Sequence, residues 1–165
     1  SNNNYTTVQL ARYVTAVANE GTVYQYTLLN RLEDSDGNVL QTFEPQVRNQ
    51  IDVLDTEEWN AIHSGMRMVV ENTKEFDGFP IEAAGKTGTA QQNLKRPNHA
   101  LFVGYAPYDD PEISIATRIA YGYTSHNAAK LARNVFAYYF NVETEDELLN
   151  GQAADGNSSS NEISD

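Results

Sequence analysis

The pattern of apolar and polar residues predicts two amphipathic helices in the first half of the chain. Thr6 and Gln9 form a capping box ahead of apolar residues at helical spacing, so a helix should begin there and end before Gly21. Asp55 and Glu58 form a second capping box ahead of another apolar stripe. The members of this stripe are Trp59, Ile62, Met66, Val69 and Val70. Each helix has one apolar face and therefore needs a packing partner.

Several segments have the composition of β-strands. Residues 22–32 are rich in β-favouring side chains and predict one strand. Asp36-Gly37 then provides a turn, and residues 39–43 are expected to return as the partner strand of a hairpin. Three further β-type runs follow at residues 83–91, 100–105 and 113–121. Their connections are too short for crossover helices, so the pattern predicts an antiparallel sheet.

A last amphipathic helix follows these three runs, with Ser125 or Asn127 as its N-cap. Its predicted apolar face consists of Ala128, Leu131, Ala132, Val135, Phe136 and Tyr139. This helix is expected to cover the antiparallel sheet. The predicted fold class is therefore α/β in the broad sense, and α+β in the narrow one, with an antiparallel sheet covered by helices.

The distribution of charge divides the chain into two regions. The 165 residues include 11 basic and 23 acidic side chains, for a net charge of −12, and seven of the acids lie within residues 143–165, which contain no Lys or Arg. We therefore expect residues 1–142 to form the globular part and residues 143–165 to form an acidic, flexible tail. The charge also argues against partners that present phosphate, so no nucleic acid is expected to bind.

The residues that commonly bind metals offer no site. The chain has no cysteine, which excludes a disulfide scaffold, a zinc ribbon and a thiol nucleophile. His63, His99 and His126 lack the spacing of metal ligands, so we interpret them as solvated or capping residues. Trp59 and the segment Tyr121-Gly122-Tyr123 fit either the core or the edge of a cleft. No metal and no organic cofactor is expected.

The most informative stretch is Gly-Lys-Thr-Gly-Thr-Ala at residues 85–90. A phosphate-binding loop would need a glycine five positions before Gly85, where the chain has Pro80, so a nucleotide site is excluded by spacing. The bare tripeptide Lys-Thr-Gly is equally compatible with a plain turn or a strand. It becomes informative because it lies on a predicted strand and precedes Asn-His-Ala-Leu-Phe-Val-Gly-Tyr-Ala-Pro at residues 98–107.

With these two motifs and Asn-Tyr-Thr-Thr-Val-Gln-Leu-Ala at residues 4–11, the chain resembles the C-terminal part of the transpeptidase domain of class B penicillin-binding proteins. The resemblance spans residues 4–140. It implies a serine acyl-transfer enzyme with three motifs: Ser-x-x-Lys, Ser-x-Asn and Lys-Thr-Gly. No serine of this chain is followed three residues later by lysine.

Two literal Ser-x-Asn matches, at residues 125–127 and 159–161, lie after Lys86, whereas the family's motif lies before it. We interpret the first as a helix cap and the second as tail composition. The resemblance therefore implies that an upstream segment of the same polypeptide carries the Ser-x-x-Lys and Ser-x-Asn motifs and is the partner of this chain.

The resemblance also implies a role for each residue of the third motif. Lys86 would place a cation beside the serine hydroxyls and the substrate carboxylate. Thr87 and Thr89 would hydrogen-bond that carboxylate, and the backbone N–H of Thr89 would be one of two oxyanion donors. Gly88 would let the substrate lie close along the strand. Lys86 and Thr89 are thus the predicted catalytic residues, and Thr87, Gly88 and Thr89 bind substrate.

The implied function is peptidoglycan D,D-transpeptidation, which cross-links stem peptides and is trapped by β-lactams. The implied location is the extracytoplasmic face of a bacterial cell membrane, with an N-terminal anchor outside this chain. The alternative is a penicillin-recognising sensor or a scaffold module that keeps the fold without turnover. Acylation of the protein without turnover of peptide would favour the sensor. A functional serine motif with peptide turnover would favour the enzyme.

Overall fold

The structure is a computed structural model and describes residues 4–92 and 94–150. Its helices are α1 (Thr7–Ala18), α2 (Thr56–Glu71), α3 (Ser125–Tyr139) and α4 (Glu145–Asn150), with a short 3-10 turn at Lys74–Phe76. The first four strands are β1 (Thr22–Tyr24), β2 (Arg31–Glu33), β3 (Val39–Thr42) and β4 (Val47–Gln50). The strands of the main sheet are β5 (Ala84–Ala90), β6 (His99–Ala106) and β7 (Ile113–Ile119).

The main sheet has the strand order β5-β6-β7 and is antiparallel throughout, as the short connections predicted. Gly85 lies opposite Gly104, and Thr89 lies opposite Ala100. On the other side of β6, Leu101 lies opposite Arg118. Residues directly opposite each other point to the same face, so this register decides which side chains meet.

The sheet packs against helices on both faces. Ala100, Phe102 and Ala106 point to one face, termed the α3 face, and are fully buried there. The other buried members of this cluster are Val70, Phe76, Ala83, Ala128, Ala129, Ala132 and Phe136. Tyr105 and Ala84 point to the opposite face, termed the α1 face, where they pack against Val14. The sheet is therefore the middle layer between helices, which fits the predicted fold class of an antiparallel sheet covered by helices, although only the last helix was predicted to cover it.

Both predicted capping boxes are present. The Thr6 hydroxyl accepts a hydrogen bond from the Gln9 amide at 3.2 Å, and the Gln9 side chain accepts one from the Thr6 amide at 2.8 Å. Asp55 and Glu58 make the same reciprocal pair at 2.9 Å each. These bonds satisfy backbone donors that a helix start leaves free, which is why the two helices begin where the sequence predicts.

The single strand predicted for residues 22–32 is wrong. β1 instead pairs with β4, and only β2 pairs with β3 in the predicted hairpin. Between β1 and β2, the Thr27 hydroxyl accepts a hydrogen bond from the Leu29 amide at 3.0 Å. A side chain that hydrogen-bonds to the nearby backbone in this way replaces hydrogen bonds between strands. A prediction from β propensity alone does not take this competition into account.

The N-cap predicted for α3 is also wrong. Thr124 is the cap, and its hydroxyl accepts a hydrogen bond from the His126 amide at 3.4 Å. Ser125 is the first helical residue, while the Asn127 side chain donates to the Gly122 carbonyl at 2.8 Å. The 125–127 match to Ser-x-Asn is therefore the first turn of α3 rather than its cap.

The buried face of α3 is rotated about the helix axis relative to the predicted face. Its buried residues are Ala128, Ala129, Ala132, Phe136 and Ala137. Leu131, Val135 and Tyr139 were predicted to belong to this face but keep 44%, 38% and 46% of their surface exposed. Four alanines let the helix approach the sheet closely, so Phe136 is the only large side chain it buries completely.

The start of the acidic region contacts the globular part. Both carboxylate oxygens of Glu143 accept hydrogen bonds from the Arg133 guanidinium, which also lies 5.0 Å from the ring centre of Phe79. Residues 145–150 form α4, and Thr144 caps that helix through Glu147. Residues 151–165, the rest of the predicted tail, lie outside the described residues, so the predicted boundary at residue 142 stays a prediction.

Candidate functional site

The four predicted site residues lie on one edge of the main sheet. β5 carries Lys86, Thr87, Gly88 and Thr89, and it pairs with β6 on one side only in the part of the sheet that the structure describes. The outer edge of an edge strand presents a row of backbone N–H and C=O groups. An extended peptide can pair with such a row as an added strand.

The four side chains divide between the two faces of the sheet. Lys86 and Gly88 lie opposite Val103 and Leu101 and so share the α1 face. Thr87 and Thr89 lie opposite Phe102 and Ala100 and so share the α3 face. Lys86 and Thr89 are exposed, whereas Thr87 and Gly88 are half-buried. The backbone edge is thus the feature that all four have in common.

The Lys86 ammonium group is available to an anion. Its Nζ donates a hydrogen bond to the Thr87 carbonyl at 3.0 Å, which keeps the side chain close to its own strand. No carboxylate lies within salt-bridge distance of this ammonium group among the residues that the structure describes. Its charge is therefore not neutralised by a neighbouring carboxylate in that part of the chain, although the chain as a whole is strongly acidic.

The two glycines of β5 have different reasons for lacking a side chain. A Cβ at Gly85 would come within 2.3 Å of the Phe102 ring, so the core of the chain itself requires a glycine there. A Cβ at Gly88 would come no closer than 3.4 Å to Leu101, which is an ordinary contact. The packing of this chain therefore does not require glycine at position 88.

Tyr105 lies on the same face as Lys86 but is a poor candidate for a base. Its side chain is fully buried, and its hydroxyl has no hydrogen-bond partner among the described residues. Burial raises the pKa of the Tyr105 hydroxyl well above its usual range, and the neighbouring Tyr108 adds to that effect. A group that holds its proton so firmly does not take one from a substrate near neutral pH.

His99 differs from its predicted solvated or capping role. It is the first residue of β6, keeps only 6% of its surface exposed, and bonds to Gln92 and to the backbone of Tyr121. The signal for burial was present in the sequence, because His99 occupies the same face of a strand as the apolar residues Leu101, Val103 and Tyr105, which follow at every second position. This is the functional candidate that sequence reasoning missed.

The other candidates have structural roles. His63 is half-buried in α2 and bonds to the Val17 carbonyl at 2.7 Å, while His126 is exposed at the start of α3 and contacts Glu75 at 2.9 Å. Trp59 is 5% exposed and belongs to the core. Within residues 4–92 and 94–150, no group of three or more His, Cys, Asp or Glu side chains is arranged to hold a metal ion.

Comparison with known proteins assigns the chain to a family. Residues 2–137 match the penicillin-binding protein transpeptidase domain. The chain belongs to the penicillin-binding protein transpeptidase family. It is similar to the peptidoglycan D,D-transpeptidase MrdA of Haemophilus influenzae, with 34% identity over 157 residues covering 82% of this chain. The family resemblance predicted from the Lys-Thr-Gly strand and its neighbouring motifs is confirmed.

Two solved structures of penicillin-binding proteins share the fold. The D,D-transpeptidase domain of a peptidoglycan glycosyltransferase from Eggerthella lenta has a TM-score of 0.70 at 27% identity, covering 83% of this chain and 32% of that one. An imipenem acyl-enzyme complex of penicillin-binding protein A from M. tuberculosis has a TM-score of 0.74 at 20% identity, covering 85% and 32%. These matches confirm the predicted fold class.

The chain spans about a quarter of the length of the curated relatives it matches, with 24% of the H. influenzae protein covered. Among the described residues, no helix is long and apolar enough to span a membrane.

Proposed function

We propose that this chain forms the Lys-Thr-Gly wall of the active site of a peptidoglycan D,D-transpeptidase, a penicillin-binding protein that cross-links stem peptides in cell-wall synthesis. The observation that carries the proposal is the outer edge of β5, which has no partner strand in the described sheet. Along this edge, Lys86 extends from one face without a carboxylate partner among the described residues, and the hydroxyls of Thr87 and Thr89 extend from the other face. A pairing edge, a cation and hydroxyl donors together suit an extended peptide that ends in a carboxylate.

The proposed reaction has two acyl transfers. A serine oxygen attacks the carbonyl carbon of the terminal D-Ala-D-Ala amide, and its proton goes to the departing amine of D-alanine. An amine of a neighbouring stem peptide then attacks the resulting ester, and the proton it loses returns to the serine oxygen. No serine of this chain is followed three residues later by lysine. We therefore assign the Ser-x-x-Lys and Ser-x-Asn motifs to an upstream segment of the same polypeptide.

The residues of β5 would act on the charges of this reaction. Lys86 would stabilise the substrate carboxylate and the developing negative charge, and the Thr89 N–H would donate to the oxyanion. The Thr87 and Thr89 hydroxyls would fix the carboxylate. Gly88 would leave room for the peptide, which is consistent with the finding that the packing of this chain does not itself require glycine there.

A penicillin-recognising sensor or scaffold of the same fold is the competing function. Two relatives named peptidoglycan D,D-transpeptidase, from H. influenzae and from Acinetobacter baumannii, favour the enzyme. Under this proposal, the protein works on the extracytoplasmic face of a bacterial cell membrane, held by an N-terminal anchor outside this chain.

Lys86→Ala tests the proposal in a complete transpeptidase domain that contains this chain. Acylation by a fluorescent penicillin should slow by roughly 100-fold, because a cation is lost from the charged site. The melting temperature should hardly change, because the side chain is exposed. Lys130→Ala, at an exposed position on α3, is the control with the same charge change. Equal acylation rates in the two variants would refute the assignment of Lys86.

A second experiment tests where the nucleophile lies. The 165-residue chain alone should form no covalent adduct with the fluorescent penicillin, and adding the upstream segment should restore labelling. Release of D-alanine from a stem-peptide mimic by the complete domain would favour the enzyme over the sensor. Covalent labelling of the isolated chain at any serine would show that the nucleophile is not upstream.

A further inference from the structure

The buried histidine His99 connects two segments that flank the candidate site. Its Nε2 lies 2.7 Å from Oε1 of Gln92, which follows β5 three residues after Thr89. Its Nδ1 lies 3.0 Å from the backbone nitrogen of Tyr121, in the connection between β7 and α3. The hydrogen bonds of the two ring nitrogens therefore link the segment after β5 to the segment after β7, on the far side of the sheet.

These bonds assign the tautomer of the ring. A backbone N–H can only donate, so Nδ1 accepts the bond from Tyr121. The ring proton then sits on Nε2 and is donated to the Gln92 carbonyl oxygen. Both nitrogens are used, and the guanidinium of Arg118 lies alongside, with its Nη2 at 3.4 Å from Nε2. A neutral histidine is held between one fixed donor and one acceptor.

The segment that His99 holds on its Nδ1 side has an unusual backbone. Tyr121 and Tyr123 have positive φ angles of 54° and 65°, a conformation that side chains rarely adopt. The Tyr121 ring packs against His99 with 4.9 Å between ring centres and an angle of 37° between the ring planes, and its hydroxyl accepts a hydrogen bond from Arg96 at 2.8 Å. Contacts from β6 and from the β5–β6 connection therefore hold this strained turn in place.

We propose that His99 is a positioning residue that fixes the C-terminal end of β5 against the 121–123 turn, and so holds the site edge in the geometry that acylation needs. This inference rests on the proposed function of β5. His99 lies opposite Ala90, so it already sits at the last paired position of the candidate strand. Its bond to Gln92 continues that attachment beyond the ladder, next to the predicted oxyanion donor Thr89.

The physical reason is the sensitivity of acyl transfer to small displacements. A shift of about 1 Å in a group that positions a reacting centre can cost roughly 100-fold in rate. The outer edge of β5 has no partner strand in the described sheet, so its position depends on what holds its other side and its end. Loss of the His99 bonds should therefore act on the rate of acylation more than on the stability of the fold.

Two substitutions separate the two bonds. His99→Leu removes both, whereas His99→Asn keeps an oxygen near the position of Nδ1 and can still accept from the Tyr121 amide but cannot reach Gln92. Thr117→Val is the matched control, because it removes buried hydrogen bonds on the opposite face of the same sheet, to the Phe102 and Ala128 carbonyls. All three variants should lower the melting temperature.

The experiment measures penicillin acylation in the complete domain at a temperature where every variant is folded, with the dissociation constant and the acylation rate constant determined separately. His99→Leu should slow the acylation rate constant by about ten-fold or more, with a smaller change in the dissociation constant. His99→Asn should recover part of the lost acylation rate constant, and Thr117→Val should have the same acylation rate constant as the natural domain. An acylation rate for His99→Leu within about two-fold of the natural domain would overturn the inference.

Amide hydrogen exchange makes this test independent of the proposed function. The Tyr121 amide should exchange faster in His99→Leu and regain protection in His99→Asn, whether or not the domain is acylated. Unchanged Tyr121 protection in His99→Leu would overturn the inference. A natural domain that is not acylated at all would instead refute the proposed function, and the exchange result would still decide whether His99 holds the turn.

Discussion

The Phe102 ring lies directly over Gly85, so closely that a Cβ at Gly85 would be 2.3 Å from the ring atom Cζ. Gly104 lies opposite Gly85 on β6, and a Cβ at Gly104 would be 2.7 Å from the ring atom Cε1 of Phe102. One buried aromatic side chain thus occupies the space that two opposed glycines leave free. The candidate site begins one residue further along β5, where that packing requirement no longer applies.

Alanine substitutions at the two glycines of β5 should therefore have opposite effects. Gly85→Ala should destabilise the fold by about 1–3 kcal/mol, because the Phe102 ring would have to move. Gly88→Ala should change stability by less than about 0.5 kcal/mol, while slowing penicillin acylation by roughly ten-fold or more, because the added methyl group would stand where the peptide lies. Urea unfolding and acylation rates measure the two effects. Slow acylation without loss of stability in Gly85→Ala would contradict this division.

The two threonines of the motif should affect binding through their hydroxyl groups. Thr87→Val and Thr89→Val keep the shape of the side chain and remove the donor. Each should weaken penicillin binding by about 1.5–3 kcal/mol if its hydroxyl bonds the carboxylate. The dissociation constant before acylation is the quantity to measure, with Thr22→Val, on the distant strand β1, as a control. Unchanged affinity in both site variants would remove the threonines from the proposed carboxylate site.

Stability should depend on pH through the pair formed by Arg133 and Glu143. The hydrogen bonds from Arg133 hold the pKa of the Glu143 carboxyl below its usual range. A carboxyl whose pKa is lower in the folded chain stabilises the fold above its unfolded pKa, and that contribution is lost as pH falls through the folded value. Urea unfolding at about pH 7 and at about pH 3.5 should thus show a smaller stability difference in Glu143→Gln than in the natural chain. If stability depended on pH identically in the two chains, the pair of Arg133 and Glu143 would contribute nothing to the pH dependence of stability.

Two truncations should locate the end of the folded part. Residues 151–165 contain a single large apolar residue, Ile163, so a chain that ends at Asn150 should keep its stability within about 0.5 kcal/mol. A chain that ends at Val142 loses Glu143 and leaves the half-buried Arg133 without its carboxylate, so its melting temperature should fall. Thermal unfolding of both chains gives the answer. A large loss in the first truncation would show that the terminal residues pack on the rest.

The features that the sequence predicted well are local ones. The capping boxes at Thr6 and Asp55 involve residues three positions apart, and their hydrogen bonds form within a single turn. The antiparallel sheet followed from short connections, and the Lys-Thr-Gly strand followed from its neighbouring motifs. Each of these predictions needs only a few adjacent residues and no knowledge of distant parts of the chain.

The features that were not predicted from the sequence depend on residues far apart in the chain, or on a side chain that competes for backbone hydrogen bonds. The alternation along residues 99–105 indicates that His99 is buried, but the partners of its two ring nitrogens are Gln92 and Tyr121, which lie 7 and 22 residues away. No local sequence pattern shows which distant residues will meet a given side chain. The break between β1 and β2 depends on the Thr27 hydroxyl, although threonine on its own favours strands.

The outer edge of β5, which has no partner strand in the described sheet, also affects how this chain behaves in solution. A backbone row that can receive a peptide can equally receive β5 of a second copy, which is the usual route from an exposed edge to aggregation. The net charge of −12 opposes that encounter, since every molecule repels every other. Added salt screens the repulsion but not the backbone hydrogen bonds. The isolated chain should therefore be most monodisperse in dilute buffer and should self-associate as ionic strength rises, which light scattering can follow.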